Sequence, residues 1–445
     1  MKKFPNAINI ILGIIILAWL LTYLIPQGEY DRKLNEETDR EEVVAGSYHQ
    51  TDQDFLDVFQ LLLAIPRGIE SRAGLIVLIL LSGGCFYVIE KTGALSEGLN
   101  KLVLTLEGKE SMALVIVSLL FTAAGVAIGL QEEIIAMIPV LLLFGRKLGY
   151  NAFTVIYMSF GSAVLGSAFS PSNPFAVLIA QKEAELPLLS GSVFRLVVLA
   201  IAFIIWMIYL IRYSKENRIA REISESDPNR NIPLDHKVIL ILLTLILGIE
   251  IYGIIFWSWG FQEMSACFFF LGFTSGIIGK LGINGTAEAY VAGFKEMIFA
   301  CVIIGLASSI SLILKEGSVI DTIVHGLFGP LKYLPPAASA VIMMVSQSFL
   351  HLPIASYSGQ AILTMPILIP LSDLIGISRQ TCVLAYQYGA VMMDVIIPTN
   401  GALMAILAVA AIPYNKWMKF VLKPMLIILI LAAGVIILAT LIHLK

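Results

Sequence analysis

Charge is scarce in this chain. Lys, Arg, Asp and Glu make up 14% of its 445 residues against 58% hydrophobic residues, and the mean hydropathy is +0.88. That leaves too little polar surface to wrap a water-soluble core. A net charge of −3 offers nothing to nucleic acid or to an acidic partner. Cysteine is equally sparse: Cys85, Cys267, Cys301 and Cys382 stand singly in apolar segments, so neither a disulfide framework nor a metal site is indicated. HExxH and GxSxG are absent, which leaves a membrane-embedded enzyme without its residues, and no cofactor is implied. "GFTSGIIGK", residues 272–280, is not a phosphate loop, because Thr274 replaces the first required glycine and Leu281 the final hydroxyl residue. Gly272 and Gly276 suit close helix packing instead.

What the chain does have is apolar runs long enough to cross a bilayer, from one end to the other. The first, "AINIILGIIILAWLLTYLIP", lacks a small-residue cleavage pattern and reads as a retained span over 1–26. Spans are expected over 7–25, 73–90, 152–182, 191–212, 238–258, 262–280, 297–314, 379–411 and 421–443, about nine crossings in an all-α polytopic membrane protein. Two further apolar segments, 111–146 and 338–371, are interrupted by "IGLQEE" and "ASYSGQ" and are expected to be re-entrant hairpins. The loop 213–237 carries most of the internal Lys and Arg and should be cytoplasmic, as should the N-terminus, "GRKLGY" and "YNKWMK"; the acidic loop 27–56 should face outward. The expected location is a bacterial inner or plasma membrane.

"GSAFSPSNPFAV", residues 166–177, puts two prolines, two serines and an asparagine where a membrane helix should continue. Sliding the chain by 227 positions sets Pro139 on Pro366, Gly149 on Gly376, Pro171 on Pro398 and Asn173 on Asn400, so that stretch has a partner in "DVIIPTNGALMA". Shared Pro, Gly and Asn positions point to duplication: a first repeat over 57–212, an extra linking span over 238–258 and a second repeat over 262–445. An odd number of crossings between the copies would invert the second, the pattern of a transporter. Both copies would then contain a helix broken at mid-membrane, 152–182 and 379–411. Proline removes a backbone donor and stops the helix, while Ser170, Ser172, Asn173, Thr399 and Asn400 serve the freed backbone and a ligand. Half-helices starting near Pro174 and Gly401 would turn partly positive ends toward that ligand. The competing reading is a pair of proline kinks whose polar residues satisfy only their own backbone.

Glu132 and Glu133 fall at the first hairpin tip, and Asp394 falls four residues before Pro398. A carboxylate facing lipid there would cost at least about 2.5 kcal/mol, so each needs a partner or a function. Under the 227-residue offset their counterparts are Gly359, Gln360 and Ser167, so the charges do not follow the duplication. Gln387 shares a helix face with Asp394, with Tyr388 adjacent. No Lys or Arg falls near either tip or break in the sequence, which favours a substrate with an amine. Its carboxylate would rest on helix ends with Ser172, Asn173, Thr399 and Asn400, its cation on Glu132, Glu133 or Asp394. Asp394 could instead hold a coupling proton or sodium ion. His351 reads first as a hydrogen-bonded structural residue and second as a proton sensor.

The stretches "FPNAINIILGIIILAWLLTYLIPQGEYDR", "DVFQLLLAIPRGI", "VIEKTGAL", "LQEEIIAMIPVLLLFGRKLGY" and "SPSNPFAVLIAQ" resemble YfcC-type carriers. These are grouped with basic amino-acid antiporters and anaerobic four-carbon dicarboxylate carriers in the ion transporter superfamily. The resemblance implies inverted repeats, a scaffold that often dimerises, here as a homodimer, and an elevator-type transport domain. It implies substrate at Gln131 to Glu133, Ser170 to Pro174, Ser356 to Gln360 and Pro398 to Gly401, which adds Ser356, Ser358, Gln360 and Gly401 to the candidate binding residues. Relatives coupled to sodium carry Ser-Asn-Thr where this chain has Ser172-Asn173-Pro174 and Thr399-Asn400-Gly401. The expectation is a secondary carrier of a small organic ion in the lipid bilayer, favoured as an amino acid such as arginine or ornithine. The alternative is a four-carbon dicarboxylate coupled to Na+ or H+. Asn173→Ala and Asn400→Ala are each expected to stop transport.

Overall fold

The computed structural model describes residues 7–35, 40–44, 46–51, 55–105, 109–221, 232–257 and 259–444. The chain starts with α1 (Ala7–Leu24), then two short antiparallel ribbons, β1 (Gly28–Glu29) with β4 (His49–Gln50) and β2 (Arg32–Asn35) with β3 (Arg40–Val43). These ribbons are a departure from an all-α reading and lie in the acidic loop. There follow α2 (Val58–Ser71), α3 (Ala73–Thr92), α4 (Ala94–Thr105), α5 (Glu110–Ile128) and α6 (Ile134–Leu148). The first broken helix comprises α7 (Ala152–Ile156), a wide turn at Tyr157–Gly161, α8 (Ser162–Ala168), the break, a second wide turn at Pro174–Leu178 and α9 (Ile179–Glu183). The rest is α10 (Ser192–Glu216), α11 (Leu234–Trp257), α12 (Phe261–Ile278), α13 (Gly282–Glu316), α14 (Ile320–Phe328), α15 (Pro336–Leu350), α16 (Tyr357–Ile375), α17 (Arg379–Met392), α18 (Gly401–Val409) and α19 (Tyr414–Leu441).

Among the described residues, eight helices are long and apolar enough to cross a membrane, and they differ from the nine expected spans. Glu110–Ile128 and Tyr357–Ile375, read from sequence as hairpin arms, qualify by length, whereas the two broken helices do not because no piece of them is long enough, and the expected first span, apolar over Ile8–Leu24, falls just short. α13 is nearly twice the predicted segment at 35 residues, since Gly282 to Glu296 continues the helix through polar positions. Helix faces that meet no other element are apolar: on α10, Leu196, Val197, Ile201, Ile204 and Ile208 are exposed while Val198, Leu199, Ala202 and Trp206 are buried. Such a surface is stable against lipid, and the chain is a multi-pass membrane protein.

The offset of 227 residues reappears in the secondary structure. Asn151 caps α7 by accepting from Thr154 N, and 227 positions on Ser378 caps α17 by accepting from Thr381 N. Gly149 and Gly376 end α6 and α16 at φ of 81° and 77°, where a side chain would be strained. Asn173 and Asn400 cap the half-helices after the two breaks. One difference is that α2 and α3, separated at Arg72, correspond to one continuous α13.

α5 packs on α8 and α15 on α17. A side chain at Gly125 or Gly166 would collide with the backbone carbonyls of Ala163 and Thr122, so these helices approach at backbone contact. The start of the basic loop folds back onto the α6–α7 turn: Ile219 N donates to Gly149 O at 3.0 Å, and Arg221 pairs with Glu110. At the other end of α13 the ribbons are tied to α14. Asp321 accepts from Tyr30 N at 3.0 Å and pairs with Arg32 at 2.8 Å; Tyr48 stacks on His325 at 4.2 Å. Burial, with Asp321 beside it, pushes the Tyr30 phenol up to about 12, so it stays protonated beside His325 Nδ1. Asp321→Ala removes the one oxygen, Oδ2, that accepts from both Tyr30 N and Arg32. Tryptic cleavage at Arg32 and Lys33 is then expected to accelerate by about tenfold, from the loss of ~1–2 kcal/mol of hydrogen bonds to a charged group. Unchanged cleavage would mean that the ribbon is held elsewhere.

The carbonyls freed by the breaks find donors on distant helices, as membrane depth requires. Gln387 Nε2 donates to Ser167 O and Ser170 O at 3.3 and 2.9 Å, and its Oε1 accepts from the buried Arg195 at 3.2 Å. At the second break Trp417 Nε1 donates to Val395 O at 2.7 Å and Tyr414 OH to Ile396 O at 2.5 Å. Gln387→Leu strands Ser170 O and one guanidinium donor and leaves Ser167 O with a long bond from Ser170 N at 3.4 Å. A loss on the order of 2–4 kcal/mol is expected, read as a lower midpoint of thermal unfolding in detergent; an unchanged midpoint would contradict this role.

Candidate functional site

The α5–α6 tip, the α15–α16 tip and the second break meet at one cavity of about 260 Å³. The α5–α6 tip supplies Gln131, Glu132 and Glu133; the α15–α16 tip supplies Ser356, Tyr357 and Ser358. The second break supplies Asp394, Thr399, Asn400, Gly401 and Ala402. α13 closes one wall with Ile304, Ser308 and Ser311, and the α2–α3 junction contributes Arg72.

Asp394 is the hub. It is 2% exposed and ends the helix before the break, so its carboxylate is fixed from three sides. Oδ1 accepts from Asn400 Nδ2 at 2.6 Å and bonds His351 Nε2 at 2.9 Å; Oδ2 accepts from Tyr357 OH. Tyr357 OH in turn accepts from Gln131 Nε2, which joins the two tips. His351 Nδ1 bonds Gln360 Oε1 at 2.7 Å, and Gln360 Nε2 reaches Gln347 O at 2.9 Å. Asn400 Oδ1 also accepts from Leu403 N at 2.8 Å, the first turn of α18, whose dipole leaves partial positive charge at Gly401 and Ala402. Thr399 Oγ1 is buried with no hydrogen-bond partner among the described residues. A buried hydroxyl of this kind in a polar cavity is open to a ligand atom.

The sequence placed no Lys or Arg near the site. The fold corrects this: Arg72 Nε donates to Ser308 Oγ at 3.0 Å and Nη1 approaches Glu132 Oε1 at 3.5 Å. Arg72 flanks an apolar run and so looks like a membrane-edge residue. The residue 227 positions on, Phe299, lies within α13 and gave no sign of a cation there. Ser308, Ser311, Tyr357 and His351 complete what sequence reasoning underweighted or missed.

The first break behaves differently. Asn173 Oδ1 accepts from Phe175 N and Ala176 N, both at 2.9 Å, and its Nδ2 donates to Gly125 O at 2.9 Å. Ser170 Oγ donates to Val126 O at 3.0 Å and accepts from Asn173 N at 2.7 Å; Ser172 Oγ reaches Val126 O at 3.5 Å. These groups close the last turn of α5 and cap the following half-helix. Ser172 and Asn173 do not line the cavity, and Gln360 stands behind it; Glu132, Glu133, Ser356, Ser358, Asp394, Thr399, Asn400 and Gly401 do line it. Gln387 and Asp394 share a helix but serve different breaks.

The arrangement presents one guanidinium, three carboxyls, a helix N-terminus and several hydroxyls to a space suited to a small zwitterion or organic ion. Chemically it can bind and orient; among the described residues it holds no nucleophile activated by a base.

Residues 4–441 match the model of the DcuC family, C4-dicarboxylate anaerobic carriers. The chain is 31% identical, over 93% of its length and 92% of the other's, to YfcC of Escherichia coli, provisionally named a basic amino acid antiporter. It is 30% identical over 98% of its length, and 96% of the other's, to an uncharacterized protein of Haemophilus influenzae. The YdaH transporter of Alcanivorax borkumensis aligns over 98% of both chains at 15% identity with a TM-score of 0.44, too low to transfer its topology. The chain is a multi-pass membrane protein of the DcuC family of C4-dicarboxylate anaerobic carriers, a family of membrane transporters.

Proposed function

We propose that the protein is a secondary carrier of amino acids, favouring basic ones exchanged as arginine for ornithine. The observation that supports this most is the mixed charge of the cavity: Arg72 and the start of α18 suit a carboxylate, while Glu132, Glu133 and Asp394 suit one or more cationic groups. A substrate with both ends satisfies both sets. The provisional name of the E. coli relative points the same way. Alternating access in this proposal uses the two hairpins as gates in inverted copies of an elevator, within a homodimer of the bacterial inner membrane whose N-terminus is cytoplasmic. Na+ or H+ is the coupling ion.

A second reading, a four-carbon dicarboxylate carrier, draws on Arg72 and on the family description. It requires three acids to be neutralised by protons or cations before a dianion can enter. Counterflow separates the two: proteoliposomes loaded with ornithine and given labelled arginine, with succinate-loaded vesicles given labelled succinate alongside. Arginine exchange without succinate exchange supports the amino-acid reading, and succinate exchange alone rejects it.

A further inference from the structure

A second cavity, of about 440 Å³, opens between α3, α5, α6, α11 and α12. Leu78, Phe121, Met137, Leu247 and Phe268 typify its walls, and the polar side chains lining it are two carboxyls, Glu133 and Glu250. Glu133 lines the substrate cavity as well, so it stands between the two spaces. Glu250, on α11, is 4% exposed, and its Oε1 has no hydrogen-bond partner among the described residues. Among the described residues, no lysine, arginine or histidine lines this cavity. An ionised carboxylate in such a wall is costly, and a bound proton is the ligand that removes the cost.

The titratable groups facing Glu250 are few. Cys85 on α3 and Cys267 on α12 lie close enough to sense its charge, and Glu133 faces it across the cavity. The remaining charges on α11 are at its start: Asp235, paired with Lys280 at 2.9 Å, His236, bound to Glu97 of α4 at 2.7 Å, and Lys237. None of these lines the cavity, so none neutralises Glu250.

We propose that Glu250 is the proton-loading group of the carrier and exchanges its proton with Glu133 through this apolar cavity. The inference rests on the transport reading above and deepens it by assigning the coupling ion as H+. In the transfer, the Glu250 carboxyl gives up its proton and becomes a carboxylate, while the Glu133 carboxylate takes that proton and becomes the acid. A water admitted between the two carboxyls would carry the proton, and no other bond changes. Glu133 then presents a neutral side chain to the substrate cavity, which alters the charge that a cationic substrate meets.

Two readouts on the full-length protein in liposomes test this. Dicyclohexylcarbodiimide, an apolar reagent, adds to protonated carboxyls and leaves a stable N-acylurea. Mass spectrometry should find that adduct on Glu250, with a yield that falls as pH is raised. Glu250→Gln should keep arginine–ornithine counterflow within about twofold of the wild type and lose accumulation driven by an inward proton gradient by about tenfold or more, with partial recovery in Glu250→Asp. Undiminished gradient-driven accumulation in Glu250→Gln would overturn the proposal, as would the absence of an adduct on Glu250 at every pH. Absence of counterflow in the wild type would instead reject the amino-acid reading, and the labelling result would still decide whether Glu250 takes up a proton.

Discussion

Arg72→Ala is expected to lower uptake of any substrate bearing a carboxylate by about 30-fold or more, the loss associated with removing one member of a hydrogen-bonded charge pair, ~2–5 kcal/mol. Among the described residues the guanidinium is the cavity's single side-chain cation, so its removal leaves Glu132 without its partner beside Glu133, while Asp394 keeps its own donors from Asn400, His351 and Tyr357. KM should rise more than kcat falls if Arg72 holds substrate carboxylate in the ground state as well as during translocation. Arg72→Lys should recover part of the loss, since it keeps the charge and gives up the fork that reaches Ser308 and Glu132 together. Arg72→Ala combined with Glu132→Gln should lose less than Arg72→Ala alone, because the stranded acid is then neutral. Transport by Arg72→Ala at wild-type rates would remove Arg72 from the site.

Asp394→Ala is expected to abolish transport, by about 100-fold or more, and to cost roughly 3–5 kcal/mol of stability as buried partners lose a charged acceptor. Three groups are left stranded: Asn400 Nδ2, His351 Nε2 and Tyr357 OH. The link between the tips also loosens, because Tyr357 carries the bond from Gln131. Thermal unfolding in detergent separates the stability loss from the functional one. Asp394→Asn keeps the shape and an acceptor for Asn400 but leaves the Tyr357 hydroxyl facing an amide, so most of the stability should return without the charge. If Asp394 contacts the substrate, Asp394→Asn should lose cationic amino acids selectively. If it serves coupling, dependence on pH or sodium should go instead. Wild-type stability and flux in Asp394→Ala would contradict the role of Asp394 as hub.

Much of this architecture was legible because proline, glycine and asparagine have few structural uses. Pro171, Asn173, Pro398 and Asn400 located both breaks, and Gly149 and Gly376 located the ends of α6 and α16, because an apolar helix cannot absorb these residues silently. The carboxyls at the first tip and before the second break were legible from their desolvation cost. What was hidden was long-range. Arg72 reaches Glu132 across 60 residues of chain, and Gln387 serves carbonyls 217 and 220 residues away, contacts that no local spacing encodes. The two breaks also looked alike in sequence, yet Asn173 spends its amide on α5 and its own half-helix while Asn400 spends half of its on Asp394. Asn173→Ala should therefore act through helix capping more than through ligand contact.

A cysteine placed in the cavity between the tips and the second break reports whether the substrate binds there. In a background where Cys85, Cys267, Cys301 and Cys382 are replaced, Ser358→Cys lines the cavity and Ser172→Cys does not. Modification by a small charged thiol reagent is followed with and without arginine and, separately, succinate. The transported substrate should slow labelling of Ser358→Cys by about tenfold, the occupancy expected at ten times Kd, and leave Ser172→Cys unaffected. Equal labelling of Ser358→Cys with and without saturating transported substrate would place the substrate elsewhere and contradict the site.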